Sequence, residues 1–250
     1  MSVPRGYRSD AVVVRTIDFA ETSQVVHLVT PEHGLVPAIA KGARAAKGSF
    51  QGGVPLGVLG EADLLPRRGA ELELLRSFRV TDGLRGLRDD VARFSSGEYV
   101  LGVLRTLARP ALGNEPLFLA AVTALKALST APAASAPTWV LMFEARALAA
   151  TGHRPHLSNC VGCGRELARD TVFAAALGGT AHRRCATAGP ISPLSDEALA
   201  TLRRLYTARL PELVGEPPSP HGLRAVRAVH DQFLPYVLER EPAGLRTLPR

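Results

Sequence analysis

The residues of this chain best suited to chemistry are three cysteines and a histidine. Cys160, Cys163, His182 and Cys185 spell C-x2-C-x18-H-x2-C, and they include every cysteine in the sequence. Two knuckles, each offering two donors across a two-residue gap, are the pattern that seats one tetrahedral zinc ion, because thiolate and imidazole are its preferred ligands. Gly162 and Gly164 let the backbone turn so that amides can face the sulfurs. His182 is favoured as fourth ligand because it mirrors the first pair; His153 and His156, just upstream, are the alternatives. Four protein ligands leave no open position for water, and there is no H-E-x-x-H and no H-x-E deaminase base, so the pattern is that of a structural Zn2+ site. Arg165, Arg169, Arg183 and Arg184 share the segment, either as phosphate contacts or as solvated surface charges.

A second cluster is the loop KGARAAKGSF over residues 41–50. Lys41, Arg44 and Lys47 sit among small residues, which would let the backbone approach a phosphate closely. The competing reading is a solvated hairpin loop. No G-x-x-x-x-G-K-[ST] motif is present, so nucleotide hydrolysis is not indicated. Arg5, Arg8, Arg67, Arg68, Arg76 and Arg79 extend the patch only if folding brings them together. Phe50 is the best candidate to stack a base, while Tyr7, Phe19 and Phe78 are assigned to the core.

These residues need elements to position them. Residues 1–80 predict five or six short strands, over 11–15, 23–30, 35–40, 52–65 and 71–80, with glycine-rich corners. That pattern suggests a small barrel, with the oligonucleotide-binding (OB) fold as leading candidate. From Leu84 the apolar period becomes helical, through Leu87, Val91, Phe94, Tyr99, Val103 and Leu107, and stops at Pro110. Further helices are expected over about 115–130, 136–152, 196–209 and 221–240, the last with a kink or break near Pro235. The metal segment, 153–190, interrupts them, and 217–220 reads as a linker. The expected class is α+β: an OB-fold barrel over 1–81, then an α-helical domain over 82–250 with an embedded Cys3His zinc finger.

Composition narrows the partners. The 250 residues are 46% hydrophobic and 21% charged, enough for a sizeable core. Thirty Lys+Arg against 23 Asp+Glu give a net charge of +7, which favours a polyanion, nucleic acid first. No charge run dominates, so any binding face must be assembled by folding. No apolar stretch reaches the roughly 18 residues of a membrane span. Residues 1–6 have no apolar h-region, so no signal peptide is expected. Cysteines confined to one metal-type cluster fit a reducing compartment, so the expected location is the cytoplasm, associated with the nucleoid.

The order of these parts resembles the RecO family of bacterial recombination mediators. The resemblance rests on the β-rich start with residues 11–15, the loop KGARAAKGSFQGG at 41–53, the helical middle, the C-x2-C-G knuckle at 160–164, Gly178-Gly179 and the second knuckle. It covers nearly the whole length, and the loop is its most specific motif. It implies an N-terminal OB barrel, a helical domain and an embedded zinc finger. It also implies strand handling without catalysis: binding of single- and double-stranded DNA, annealing of complementary strands, and, with RecR, loading of RecA onto DNA coated by single-strand binding protein (SSB). Carried over by position, Lys41, Arg44 and Lys47 become the main DNA contacts. The family docks the acidic SSB C-terminal tail on its helical domain. One departure is visible, since the family's second knuckle is usually C-x2-C and here begins with His182. Some members lack the cysteines, which makes zinc a fold staple. The readings of other classes are a zinc-dependent nuclease or deaminase, and a protein adaptor whose basic surface is incidental.

Overall fold

The computed structural model describes residues 5–45, 50, 52–167, 169–208 and 210–238. Two compact units divide the chain, Met1–Thr130 and Ala131–Arg250. The boundary expected at 81/82 falls inside the first unit.

The first unit is built on a closed five-stranded barrel of order β1-β2-β3-β5-β4, with β1 Tyr7–Phe19, β2 Ser23–Thr30, β3 Gly34–Ala40, β4 Leu59–Leu65 and β5 Glu73–Asp82. All pairs are antiparallel except β3 with β5, and β1 with β4 closes the cylinder. This is the OB arrangement expected from the glycine-rich strands. The valine run of β1 explains how it can pair on both sides, with β2 and with β4, and still pack on both faces. Val13 points into the barrel core with Val26, Leu28, Ala62 and Leu75. Val12 and Val14 are buried as well, so β1 has apolar cover on both faces. Closure also removes strand edges, leaving no open ladder to aggregate. The segment 52–58, expected as strand, is irregular, yet Val54 and Val58 still plug the core.

The helix expected from Leu84 starts later. Leu84 adopts φ 45°, residues 85–88 form one 3-10 turn, and Asp90 is extended. The Asp90 carboxylate accepts from the amides of Ala92 (2.8 Å) and Arg93 (3.1 Å), which fixes the start of α1, Val91–Leu107. Val91 and Phe94, counted in the apolar period, are consequently exposed. Asn114 caps α2, Glu115–Thr130, by accepting from the Leu117 amide at 3.0 Å. The loop between the helices is tied to the barrel, where the Leu35 amide donates to the Arg109 carbonyl at 3.1 Å. Gly34 (φ 65°) makes this approach possible, since any side chain there would strike the carbonyls of Arg109 and Leu112.

The second unit packs α3 (Ala136–Ala150), α4 (Asp196–Thr207) and α6 (Pro220–Leu238) around Leu141, Leu148, Leu202, Leu205, Val226 and Phe233. Ser195 caps α4, accepting from the Ala198 amide at 3.1 Å. A short α5, Leu210–Gly215, was not expected, and α6 runs through Pro235 rather than breaking there. The metal segment carries its own antiparallel sheet of order β7-β6-β8: β6 Thr171–Ala174, β7 Gly179–His182, β8 Ile191–Pro193. Phe173 of β6 meets Phe233 edge-on, with centroids 5.3 Å apart, and locks the sheet to α6.

The core of this unit also holds a polar chain. Glu144 and His230 are fully buried, with His230 Nδ1 2.7 Å from the Glu144 carboxylate and Tyr206 Oη 3.2 Å from His230 Nε2. Arg227 donates to Glu144 (2.8 Å) and to Asp231 (2.7 Å). Burial, and then the Glu144 charge, keep the Tyr206 phenol protonated.

Candidate metal centre and nucleic-acid interface

The two knuckles converge because the β-structure between them turns the chain back on itself. Cys160 precedes a tight turn closed by bonds from the Cys160 amide to the Arg165 carbonyl (2.9 Å) and from the Gly164 amide to the Cys160 carbonyl (2.8 Å). β6 and β7 then return the chain so that His182, the last residue of β7, and Cys185, in the 3-10 turn that follows, face the first knuckle. Gly162 lies against Cys185, where an added Cβ would sit 2.9 Å from the Cys185 Cβ, so the knuckles close only on glycine.

The donor atoms of Cys160, Cys163, His182 and Cys185 all lie within 4.8 Å of one another, and among the described residues this is the group that could hold a metal ion. His182 Nδ1 is 3.5 Å from Cys163 Sγ and 4.0 Å from Cys185 Sγ. A tetrahedral zinc ion with bonds of about 2.0–2.3 Å imposes edges of roughly 3.5–3.8 Å, which the His182–Cys163 separation meets and the His182–Cys185 separation slightly exceeds. The far nitrogen, His182 Nε2, lies 2.8 Å from the Glu166 carbonyl. With Nε2–H donating there, the Nδ1 lone pair faces the thiolates, the outer-shell support that metal-bound histidines use. The two upstream histidines are engaged elsewhere: His153 Nδ1 with Thr151 Oγ1 (3.2 Å), His156 Nε2 with Ser158 Oγ (3.1 Å).

Electrostatics favour thiolates at the first knuckle. Burial pushes the Cys160 thiol up, but the amides of His182, Cys163 and Gly162 outweigh it and bring it below its ordinary value. The backbone amide and then the guanidinium of Arg165 lower Cys163 to about 7. Burial raises Cys185. Arg165 therefore acts on the sulfur of the exposed ligand, a role the sequence reading left open between phosphate contact and solvated charge.

The barrel disperses the expected DNA contacts. Lys41 is exposed just after β3. Arg44 is spent on the β1–β2 turn, bonded to the Asp18 carboxylate (3.0 Å) and to the carbonyls of Ala20 (2.9 Å) and Glu21 (2.7 Å). Lys47 lies outside the described residues. Phe50 corrects an expectation. It is 8% exposed and packed in the barrel core with Val54 and Leu75, so its ring is out of reach of a base. Phe19, assigned to the core by sequence, is the exposed one. Arg8 and Arg76 flank Asp63, at 3.9 Å and 2.9 Å, and Arg79 pairs with Glu61 at 3.6 Å. Arg67 and Arg68 are exposed in the β4–β5 turn, and Arg5 is exposed before β1.

Known proteins match this architecture along its length. Residues 1–84 match the family model for the N-terminal part of recombination protein O, and residues 88–246 match the model for its C-terminal part. The chain belongs to the RecO family. It is 35% identical over 239 residues to the DNA repair protein RecO of Anaeromyxobacter sp. (strain K), covering 95% of this chain and 93% of that protein. It is 33% identical over 213 residues to that of Rhodopirellula baltica (84% and 76%), and 32% identical over 217 residues to that of Geobacter sulfurreducens (86% and 86%). RecO proteins are named for DNA repair and not for a reaction. Among the described residues no helix is long and apolar enough to cross a membrane.

Proposed function

We propose that this RecO-family protein is a non-enzymatic DNA-binding mediator of recombinational repair. In this reading it binds single- and double-stranded DNA and anneals complementary strands. With RecR it promotes loading of RecA onto SSB-coated DNA in the cytoplasm, recruited there by the acidic SSB tail. The observation that carries the reading is the family match across both parts of the chain, joined to a closed OB barrel and a net charge of +7. The division of labour is an N-terminal OB barrel that handles DNA, over 1–81, and a helical part stapled by zinc, over 82–250. Among the described residues Lys41, Arg5, Arg67 and Arg68 are exposed and best placed to meet phosphates, since Arg8, Arg44, Arg76 and Arg79 already face carboxylates; Lys47 is retained as a contact from the family resemblance alone.

The ion is zinc and its role structural. Three thiolates and an imidazole are a soft, borderline donor set that selects zinc, and four protein donors leave no position for an activated water. That argues against the alternative of a zinc-dependent nuclease or deaminase, which needs an open metal position.

The deciding experiment is annealing of complementary strands coated with SSB, with and without its C-terminal tail. Faster annealing than in the protein-free control, without nucleotide hydrolysis and dependent on the tail, is expected. Equal rates with tailless SSB remove the recruitment step, and strand cleavage or deamination in the same assay overturns the non-enzymatic reading.

A further inference from the structure

The outer face of the β1–β2 hairpin carries cations that neither the metal centre nor the expected DNA contacts use. A β-bulge between Val13 and Arg15 inserts one residue into β1 and resets its alternation. Arg15 thereby stands opposite His27 of β2. Directly opposed residues of an antiparallel pair share a face, with Cβ atoms about 4.5–5.5 Å apart. Val26 and Leu28, on either side of His27, point into the barrel core, so His27 and Arg15 face outward.

Arg105 lies in the last turn of α1, the helix that packs against β1. Burial first, and then the charges of Arg15 and Arg105, lower the His27 pKa, which places both guanidiniums within electrostatic reach of the imidazole. Among the described residues none of the three side chains has a hydrogen bond or ion pair. This sets them apart from Arg8, Arg44, Arg76 and Arg79, whose charges meet Asp63, Asp18 and Glu61.

The same face continues along β1. Ile17 and Phe19 alternate onto the side of Arg15 and are 39% and 54% exposed. Arg15 to Phe19 covers about 13 Å at roughly 3.3 Å per residue. Cations without counter-charges followed by an exposed aromatic ring are the two ingredients of a single-strand platform: neutralised phosphates and a stacking surface for an unpaired base.

We propose that this face binds single-stranded nucleic acid, with phosphodiester oxygens held among Arg15, His27 and Arg105 and an unpaired base on the ring of Phe19. The inference rests on the DNA-binding reading and deepens it, because it says where on the barrel a single strand lies. A duplex could use the cations but offers no free base to Phe19. A peptide of acidic side chains alone would likewise gain nothing from the ring.

The test is anisotropy of labelled oligothymidylate and of a labelled duplex with the full-length protein across a salt series, with wild type and Lys41→Glu run in parallel. Arg15→Gln with Arg105→Gln should flatten the log–log salt slope by about 1.4, which is two phosphates at about 0.7 each on a single strand. Arg15→Lys with Arg105→Gln should regain half of that loss, about 0.7. Phe19→Ala should weaken oligothymidylate binding by about 5- to 150-fold with an unchanged slope, and leave the duplex untouched. Thermal melts confirm that each variant is folded. Bromodeoxyuridine crosslinking to the wild-type protein, mapped by mass spectrometry, needs no variant and should label residues 15–27. If wild type binds and Lys41→Glu weakens it, but Phe19→Ala and the double variant behave as wild type, or the crosslinks fall elsewhere, this placement is wrong while the DNA-binding reading stands. If wild type binds neither probe, both fall.

Discussion

The metal module and the surface of the barrel are built on opposite logics. In the module, function and local sequence coincide: two short knuckles, each on its own turn, supply the donors, and the sheet between them brings the turns together. On the barrel surface, arginines scattered over some 80 residues acquire meaning only through what stands opposite them. Arg76 faces Asp63 and Arg79 faces Glu61, whereas Arg15 faces His27. The lesson is that a donor set can be recognised from spacing, while the availability of a charge depends on cross-strand register.

The sharpest way to break this comparison is to remove a ligand. Cys160→Ser takes away the buried sulfur that also accepts from the His182 amide at 3.4 Å. Apparent binding free energies of structural zinc are about 10–16 kcal/mol, so loss of the ion should collapse the module. Hydrogen exchange should show protection lost over β6 and β7 but kept over β1–β3, and metal analysis should show less than one zinc per chain. Equal loss in the barrel strands would erase the contrast between the regions.

A smaller effect is expected from the buried pair in the second unit. Glu144→Gln leaves His230 and Arg227 without their carboxylate and should cost about 3–5 kcal/mol in urea denaturation, the range for breaking a buried ion pair. A change below about 1 kcal/mol would mean that the pair adds little net stability. Asp90→Ala, which removes the cap of α1, should cost about 1 kcal/mol. Smallest is a surface pair: Arg76→Ala should change stability by less than about 1 kcal/mol and leave the salt dependence of DNA binding unchanged. A flattened salt slope for Arg76→Ala would show that a paired arginine still reaches phosphate.

The pH dependence of the barrel offers a further check. The His27 pKa is lowered in the folded state, by burial and then by Arg15 and Arg105. Above about pH 6.5 the imidazole is neutral in both states and contributes nothing. As pH falls below that value the unfolded chain takes up the proton first, so stability should drop. His27→Gln should flatten that drop in melts between pH 7 and 5, and an unchanged profile would place the sensitivity elsewhere.

Much of this protein was legible in its sequence. The β-branched runs of β1 and β2, the capping residues Asn114 and Ser195, and the C-x2-C and H-x2-C knuckles each act within a few residues, and short-range patterns report short-range physics. The OB class followed from strand number and glycine corners. The choice of His182 over His153 and His156 followed from symmetry, and the structure adds its reason in the Glu166 carbonyl that orients the ring. Other features were decided only by tertiary structure. Phe50 is buried and Phe19 exposed, the reverse of the expectation, because which ring enters the core is set by packing across the barrel between residues far apart in the chain. The bulge in β1, which turns Arg15 outward beside His27, has no marker in the valine run that contains it. Whether an arginine meets a carboxylate or stands free is set by register and closure, contacts between residues far apart in the chain, and those exist only once the barrel has formed.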